Sequence, residues 1–334
     1  MNLREIAARA RVSTATVSRA LNRVPTVDPS LARRVWEVVD EFHYYPNTQA
    51  RALVLGSSRI FGLIIEEVTN PFFAEVVQAF EQIAVQKQYE ILLCSIGFDP
   101  GRTELIVRRM LERRVDGVAI LTFGTQERLV EALRPRNIPL VIADVGQQFA
   151  GTVGIKIDYL HGIRQAVCHL HAFGHSRIGF VTGPSHTSSA VLQKDAFEDS
   201  MHEIGLDTPS EFIVAGNLTT ECGRTALRKL MAASNRPTAV LCSNNMSAIG
   251  LLAEARESGI GVPQGLSVVG VEDIYLSPST VPPLTTIGIS RLELAELAFS
   301  ALARGAQDRG RMAAGSEYLL IPSLVVRQST GLAP

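Results

Sequence analysis

Within the opening stretch MNLREIAARARVSTATVSRALN, five side chains of a kind that reads duplex DNA stand close together: Thr14, Ala15, Ser18, Arg19 and Asn22. Arginine offers a fork of donors that fits the O6 and N7 acceptors of guanine. Ala15 and the Thr14 methyl suit the methyl group of thymine. Such readout needs these residues on one exposed helix face. Val17 and Leu21, four residues apart, mark the inward face of that helix, and Ser13 stands before it as an N-cap. An earlier helix brings Ile6 and Ala10 to a common face. A third begins at Asp28-Pro29, a capping Asp before a proline at the first helical position, and carries Leu31, Val35, Val38 and Phe42 at helical spacing. Three short helices around a small core, the second with its N-terminus favouring phosphate, make helix-turn-helix geometry; the alternative is a plain three-helix bundle.

Charge points the same way. Residues 1–59 hold nine Arg against five Asp or Glu, net +4, whereas the whole chain is −1, which leaves −5 for the remainder. A basic head on an acidic body fits a head that meets phosphate. The next segment, HYYPNTQARALVLGSSR, opens a helix at Pro46 and Asn47 and closes it at Gly56. A helix this short is marginal alone, so it orders on docking or serves as a linker. On the first reading Arg51 lies beside DNA and Leu53 wedges into a minor-groove base step, kinking the duplex.

The body alternates apolar runs with helical patterns. IFGLIIEE, YEILLCSI, DGVAIL, PLVIAD, RIGFVTG, TAVLCS and SVVGVED read as strands, and 73–88 and 160–173 as helices between them. This is the signature of parallel sheets covered by helices, with too many strands for one short sheet. The expected fold is an all-α helix-turn-helix head on an α/β body of two parallel-sheet lobes. Ligands of such lobes bind beyond the carboxyl ends of the strands, in the cleft. The residues found there are Phe72, Phe73, Asp144, Ser185, Asn244, Asn245, Glu272 and Asp273, although a strand-end Asp or Asn can equally be only a helix cap.

VSTATVSRALN, YYPNTQARAL and NPFFAEVVQAFEQIA together resemble the lactose-repressor (LacI/GalR) family of bacterial transcription regulators, and the similarity runs from residue 3 to LIPSLVVRQST. The resemblance implies a sequence-specific regulator, in most members a repressor, that binds a pseudo-palindromic operator as a homodimer. A small molecule, expected to be a sugar or sugar derivative, would switch it. It implies domains at 1–46 (head), 47–59 (hinge) and 60–334 (core), the core divided into lobes of about 60–159 with 289–320 and 160–288 with 321–334. DNA contacts would come from Arg11, Thr14, Ala15, Thr16, Ser18, Arg19 and Asn22 in the head and from Asn47, Ala50 and Leu53 in the hinge. The effector would meet Phe72, Phe73, Asp144, Ser185, Ser189, Gln193, Leu218, Asn244 and Glu272.

The chain departs from the family pattern at several positions. Arg11 stands where many members place a turn glycine, so a positive φ there would strain it, offset by a phosphate contact. Gln193 replaces an effector-binding Arg, which disfavours a strongly anionic effector. Tyr159 and Asn245 replace a common Asn and Asp.

Other classes find little support. No G-x-S-x-G, H-E-x-x-H or Walker loop occurs, and Gly259-Ile260-Gly261 follows a helix and precedes a strand, the reverse of a dinucleotide fingerprint. No enzymatic activity, metal or cofactor is expected. His169, His171 and His175 cluster at a helix end, where capping is the simpler role, and Cys94, Cys168, Cys222 and Cys242 have no pairing or zinc spacing, three of them in contexts that suit buried thiols. The N-terminus lacks the apolar region of a signal peptide, and no apolar run could span a bilayer, so a cytoplasmic protein is expected, on the nucleoid when bound. No heptad tail follows SLVVRQST, so a dimer is expected rather than a tetramer. Two alternatives remain: a solute receptor without a regulatory DNA role, and a catabolite-control regulator with a protein co-repressor.

Overall fold

The computed structural model describes residues 2–21, 24–44, 56–97, 101–122, 124, 127–143, 149–308 and 316–334. It divides into two compact units, Met1–Ser58 and Arg59–Pro334. The short helix expected after Pro46 lies outside the described residues.

The first unit packs α1 (Leu3–Ala10), α2 (Thr14–Leu21) and α3 (Pro29–Glu41) around Ile6, Ala7, Ala10, Val17, Ala20, Val35, Val38 and Val39. Each start is capped as its residues dictate. Asn2 and Glu5 form a reciprocal capping box on α1, Ser13 Oγ accepts the Thr16 N–H at 3.1 Å, and Asp28 accepts from Ser30 and Leu31 before Pro29. Two details differ from the sequence reading. Ala20 is fully inside while Leu21 is only half-buried, because a helix turns 100° per residue and the seam against α1 and α3 runs between them. Phe42 is 36% exposed, since it caps α3 instead of continuing it, and the Arg9 guanidinium lies over its ring at 4.1 Å.

The second unit holds two six-stranded sheets. The first runs β11-β5-β4-β3-β1-β2, all parallel, from β1 (Ile60–Ile65), β2 (Glu90–Ser95), β3 (Gly117–Leu121), β4 (Leu140–Ala143), β5 (Val153–Ile157) and β11 (Glu317–Leu320). The second runs β12-β10-β9-β8-β6-β7, from β6 (Ile178–Val181), β7 (Ile213–Val214), β8 (Ala239–Cys242), β9 (Ser267–Glu272), β10 (Thr285–Gly288) and β12 (Ser323–Val325), with only β12 antiparallel. The central strands β3, β4, β6, β8 and β9 are buried along their whole length, as sheets covered on both faces must be. Helices α4 (Pro71–Gln86), α5 (Arg102–Glu112), α6 (Glu127–Leu133) and α11 (Arg291–Gln307) belong to the first lobe. Helices α7 (Tyr159–Ala172), α8 (Ser188–Glu203), α9 (Thr220–Met231) and α10 (Asn245–Glu257) belong to the second.

The chain therefore changes lobe three times: after β5, after β10 and after β11. Helices α9 and α10 touch backbone to backbone. A Cβ on Gly223 would lie 1.9 Å from Ser247 O, and one on Gly250 1.8 Å from Thr220 O, so only glycine fits at either position. Arg228 and Arg224 then bridge this pair to Glu254 and Glu257 at 2.7 and 2.8 Å. No helix among the described residues is long and apolar enough to cross a membrane.

The histidines at the end of α7 are clamps, where the sequence suggested caps. His175 is fully buried, with Nδ1 2.9 Å from Thr238 Oγ1, and Nε2 2.9 Å from Ser267 Oγ and 3.0 Å from Gly331 O. A carbonyl only accepts, so Nε2 carries the proton and Nδ1 accepts from Thr238. His169 Nε2 meets Thr330 Oγ1 at 2.9 Å, so His169 fastens the C-terminal segment to α7 and His175 fastens it to β9 and the residue before β8. Cysteines differ likewise: Cys94 and Cys242 are buried, but Cys222 is half-buried and Cys168 exposed on the outer side of α7.

Burial pushes both imidazoles below their ordinary value of 6.5. The folded protein thus resists a proton that the unfolded chain accepts. Stability is fully present above about pH 6.5 and falls as pH drops below it, by up to about 1.4 kcal/mol per pH unit per group. Urea midpoints at pH 7.5 and 5.5 should show this loss in the natural chain and a smaller one in His175→Gln; an equal loss in both would assign the effect to other groups.

Candidate DNA-reading face and effector cleft

In the first unit, Thr14, Ala15 and Arg19 are exposed on α2, Thr16 and Ser18 half-buried, and Val17 and Ala20 form the opposite, buried side. Arg19 makes no ion pair among the described residues, so its fork of donors is available. Asn22 lies outside the described residues, as do Asn47, Ala50 and Leu53. Arg11 ends α1 with φ 50° and ψ 50°, the left-handed region that glycine adopts without strain. Arg34 holds this turn from below: its guanidinium donates to the Ala10 carbonyl and, at 3.2 Å, to that of Arg11. The turn sets where the N-terminus of α2 points, so Arg34 positions the reading face.

In the second unit, both adjacent phenylalanines at the start of α4 are buried, their rings edge-to-face at 5.5 Å. Asn70 caps this helix by accepting the Phe72 N–H at 3.0 Å, and Pro71 fixes its first turn. Phe72 and Phe73 wall a narrow space of about 20 Å³, room for a single water, with Thr122, Tyr159, Gln193, Ser243 and Glu272 among its other walls.

Three of these walls carry polar atoms that are buried and have no hydrogen-bond partner among the described residues: Gln193 Oε1, Ser243 Oγ and Glu272 Oε1. Each such atom costs on the order of 1–3 kcal/mol, so three around one small space mark a site held ready for polar groups. Glu272 is 2% exposed, and among the described residues its other oxygen accepts the Asn245 N–H alone, at 3.4 Å. Burial pushes its carboxyl up to about 8, against the milder pull of that N–H and of Arg291.

The backbone here is strained as well. Glu272 has φ 101° and Asp273 φ 55°, two consecutive left-handed residues without a glycine. Arg291, at the second crossover, donates to the Glu272 carbonyl at 2.9 Å and to the Ile289 carbonyl at 3.1 Å. Its other nitrogen pairs with Glu75 of α4 at 3.1 Å, and Glu75 accepts the Tyr275 N–H of the second lobe at 2.9 Å. Asp273 pairs with Arg327 at 2.7 Å. Glu75 and Arg291 therefore latch the two lobes directly over the strained turn.

Not every residue expected in the cleft lines the cavity. Asn244 caps α10 through Ser247 N–H at 2.9 Å and donates to Leu218 O at 2.9 Å, so its amide is spent on structure. Ser185 is exposed; Ser189 is buried one turn before Gln193 but away from the wall; Leu218, at φ 67°, packs on Gly183. Asp144 lies outside the described residues. Conversely, Ser243, Thr122 and the Glu75–Arg291 pair were missed. Ser243 follows β8 directly, so the strand-end rule that singled out Asn244 would have found it one residue earlier.

Comparison with known proteins agrees with this geometry. Residues 2–47 match the family described as bacterial regulatory proteins, lacI family, and residues 167–330 match the periplasmic binding protein-like domain. The HTH-type transcriptional repressor PurR of Photobacterium profundum is 30% identical over 328 residues, 98% of each chain. That of Salmonella arizonae is 31% identical over 334 residues, covering 99% of this chain and 97% of the relative. A lac repressor dimer bound to operator and the anti-inducer ONPF superposes with TM-score 0.88 at 26% identity over 99% of each chain. A LacI family regulator from Mycobacterium smegmatis gives 0.71 at 27% identity, over 81% of this chain and 99% of that one.

The solute-receptor alternative falls with the match at residues 2–47, and the relatives are repressors, not enzymes. The chain belongs to the LacI family and is a DNA-binding transcriptional regulator with an effector-binding core.

Proposed function

We propose that this protein represses transcription by reading a pseudo-palindromic operator through Thr14, Ala15, Thr16, Ser18 and Arg19, with Arg11 on phosphate. The exposed Arg19 beside Ala15 and Thr14, on a helix whose other side is core, carries this reading. One such helix spans too few base pairs for specificity, so two copies act together, as in the operator-bound lac repressor dimer. Asn22 in the head and Asn47, Ala50 and Leu53 in the hinge complete the DNA contacts.

The effector of this reading is a small neutral or cationic molecule rich in hydroxyl or amine groups, a sugar or sugar derivative foremost. Gln193 Oε1 needs a donor, the Glu272 carboxyl, pushed up to about 8 by burial, and the Ser243 hydroxyl take either role, and no cationic side chain among the described residues lines the cavity. Phe72 and Phe73 offer apolar faces for a ring, and in this reading Asp144 and Asn244 add polar contacts to the effector. Ser185, Ser189 and Leu218 belong to the same reading as further effector contacts. A ligand of that size needs roughly 300 Å³ or more, so the lobes part to admit it and the Glu75–Arg291 latch over Glu272 feels its arrival. Differential binding of only about 1.4 kcal/mol between two lobe arrangements shifts operator affinity tenfold.

The test is fluorescence anisotropy on duplexes selected from a random pool, with and without sugars, nucleosides and their phosphates. One enriched near-palindrome and one compound that shifts its affinity are expected. Failure to enrich any sequence would remove the regulator mechanism. Arg19→Ala should cost about 1–3 kcal/mol on the selected site and relax preference at one base pair per half-site. Equal losses on selected and random DNA would reduce Arg19 to a phosphate contact.

Glu272→Gln probes the cleft. An acid held above its ordinary 4.5 loses stability for the fold as pH rises from about 4.5 towards 8, because the unfolded carboxyl ionises first. The amide removes that loss, so the variant should unfold later by about 1–3 kcal/mol at pH 7.5, with the gain shrinking towards pH 5. It should also lose its effector response; a variant equally stable at both pH values and fully responsive would take Glu272 out of the site.

A further inference from the structure

The first lobe has an end that the operator and effector sites leave unused. At the amino ends of its strands, Glu90 N–H donates to Arg59 O at 2.8 Å, Asp116 N–H to Ile60 O at 2.8 Å, and Val118 N–H to Pro139 O at 2.8 Å. The residues just before β1, β2, β3 and β4 therefore lie side by side along one rim. Four exposed arginines stand on it, Arg113 and Arg114 after α5, and Arg134 and Arg136 after α6. None of the four makes an ion pair among the described residues. Two of the nearest carboxylates are engaged elsewhere: Asp116 accepts the Arg59 N–H at 2.9 Å, and Glu112 pairs back along α5 with Arg108 at 3.5 Å. This rim is a basic strip on an otherwise acidic core.

A helix C-terminus favours a cation, which would account for a single arginine at each helix end. It does not account for the backbone. The turns into β1, β2, β3 and β4 pass through left-handed Arg59 (φ 54°), Gln88 (φ 59°), Arg114 (φ 51°) and Asn137 (φ 55°), while among the described residues glycine takes that region at Gly56, before Arg59, and at Gly151, before β5. The second lobe uses glycine at the matching turns, Gly174, Gly205 and Gly259. Where one lobe takes the strain-free residue, the other keeps long polar side chains on a strained backbone.

The chain also enters the core here, at Arg59, so DNA held by the head is tethered to this rim through residues 45–58, a span of at most about 50 Å. Resting on the DNA-binding function proposed for the head, we propose that this arginine rim is a second, sequence-independent DNA surface that grips the phosphate backbone flanking the operator.

The test uses the full chain and random-sequence duplexes of about 16 and about 40 base pairs, with binding followed from 50 to 200 mM salt. Arg113→Gln, Arg134→Gln and Arg136→Gln are combined with Arg114→Gly. This variant should bind the long duplex at least fivefold more weakly at low salt, with a salt slope reduced by about 0.9 for each phosphate it no longer neutralises. On the short duplex it should match the natural chain within twofold. Arg114→Gly alone should raise or preserve the thermal midpoint while weakening long-duplex binding, which separates a weaker grip on DNA from a weaker fold. Unchanged long-duplex affinity and slope in the combined variant would overturn the rim and leave the reading head intact. A natural chain that binds neither duplex would overturn both.

Discussion

An acid buried without a full set of partners shapes the core of this protein. Glu272 keeps a carboxyl with one unpartnered oxygen inside the cleft, on a backbone at φ 101°, and both features oppose folding. They persist because the surroundings over-determine them. Arg291 holds the Glu272 carbonyl, Glu75 holds Arg291 and reaches across to Tyr275, and Arg327 holds Asp273 from β12's side. Remove the turn and the lobes lose a shared constraint; satisfy the acid with a ligand and the balance among these bonds shifts. The interlobe latch and the ligand site are thus a single mechanical unit.

How much of this was legible in the sequence depended on how local the determinants were. The head was legible because its signals repeat: caps at Ser13 and Asp28, and apolar residues at helical spacing. The central strands were legible because burial on both faces leaves no polar residue to break the run. The alternating β5, the short β7, the threonine-led β10 and the edge strands β11 and β12 escaped, since their environments come from neighbours distant in sequence. The cleft was legible only in outline. Asn244 and Asn245 are adjacent, yet the first spends its amide on a helix cap and Leu218, while the second spans Ser277 and Thr286 with its side chain and offers its N–H to Glu272. Which of two neighbours does which is decided by where α10 begins relative to β9, and no local pattern carries that.

Net charge misleads in a related way. Outside the head the chain is acidic overall, which suggests a body indifferent to phosphate. Yet Asp116 and Glu112 at the rim are taken up by a backbone N–H and by an arginine one turn away on the same helix, and its four arginines have no ion-pair partner among the described residues. An ion pair cancels its charges locally, so what a partner meets is the residue left over. Pairs such as Glu254 and Glu257 with Arg224 and Arg228 on the second lobe sum to zero and present little charge of either sign. The sign of a surface is set by pairing and place, and composition averages over both.

Backbone strain follows the same geography. Non-glycine residues in the left-handed region appear at Arg11 in the recognition turn, at His43 after α3, at Arg59, Gln88, Arg114 and Asn137 along the rim, and at Leu218, Glu272 and Asp273 around the cleft. Glycine occupies Gly174, Gly205 and Gly259, where the second lobe only has to turn a corner. A side chain forced into that region costs on the order of 1–2 kcal/mol relative to glycine. In a protein of ordinary marginal stability, several such positions together are a substantial fraction of the total. At most of these positions the retained side chain fits the role proposed for it, a phosphate contact at the head and rim or an acid held towards a ligand in the cleft; His43 has no such role.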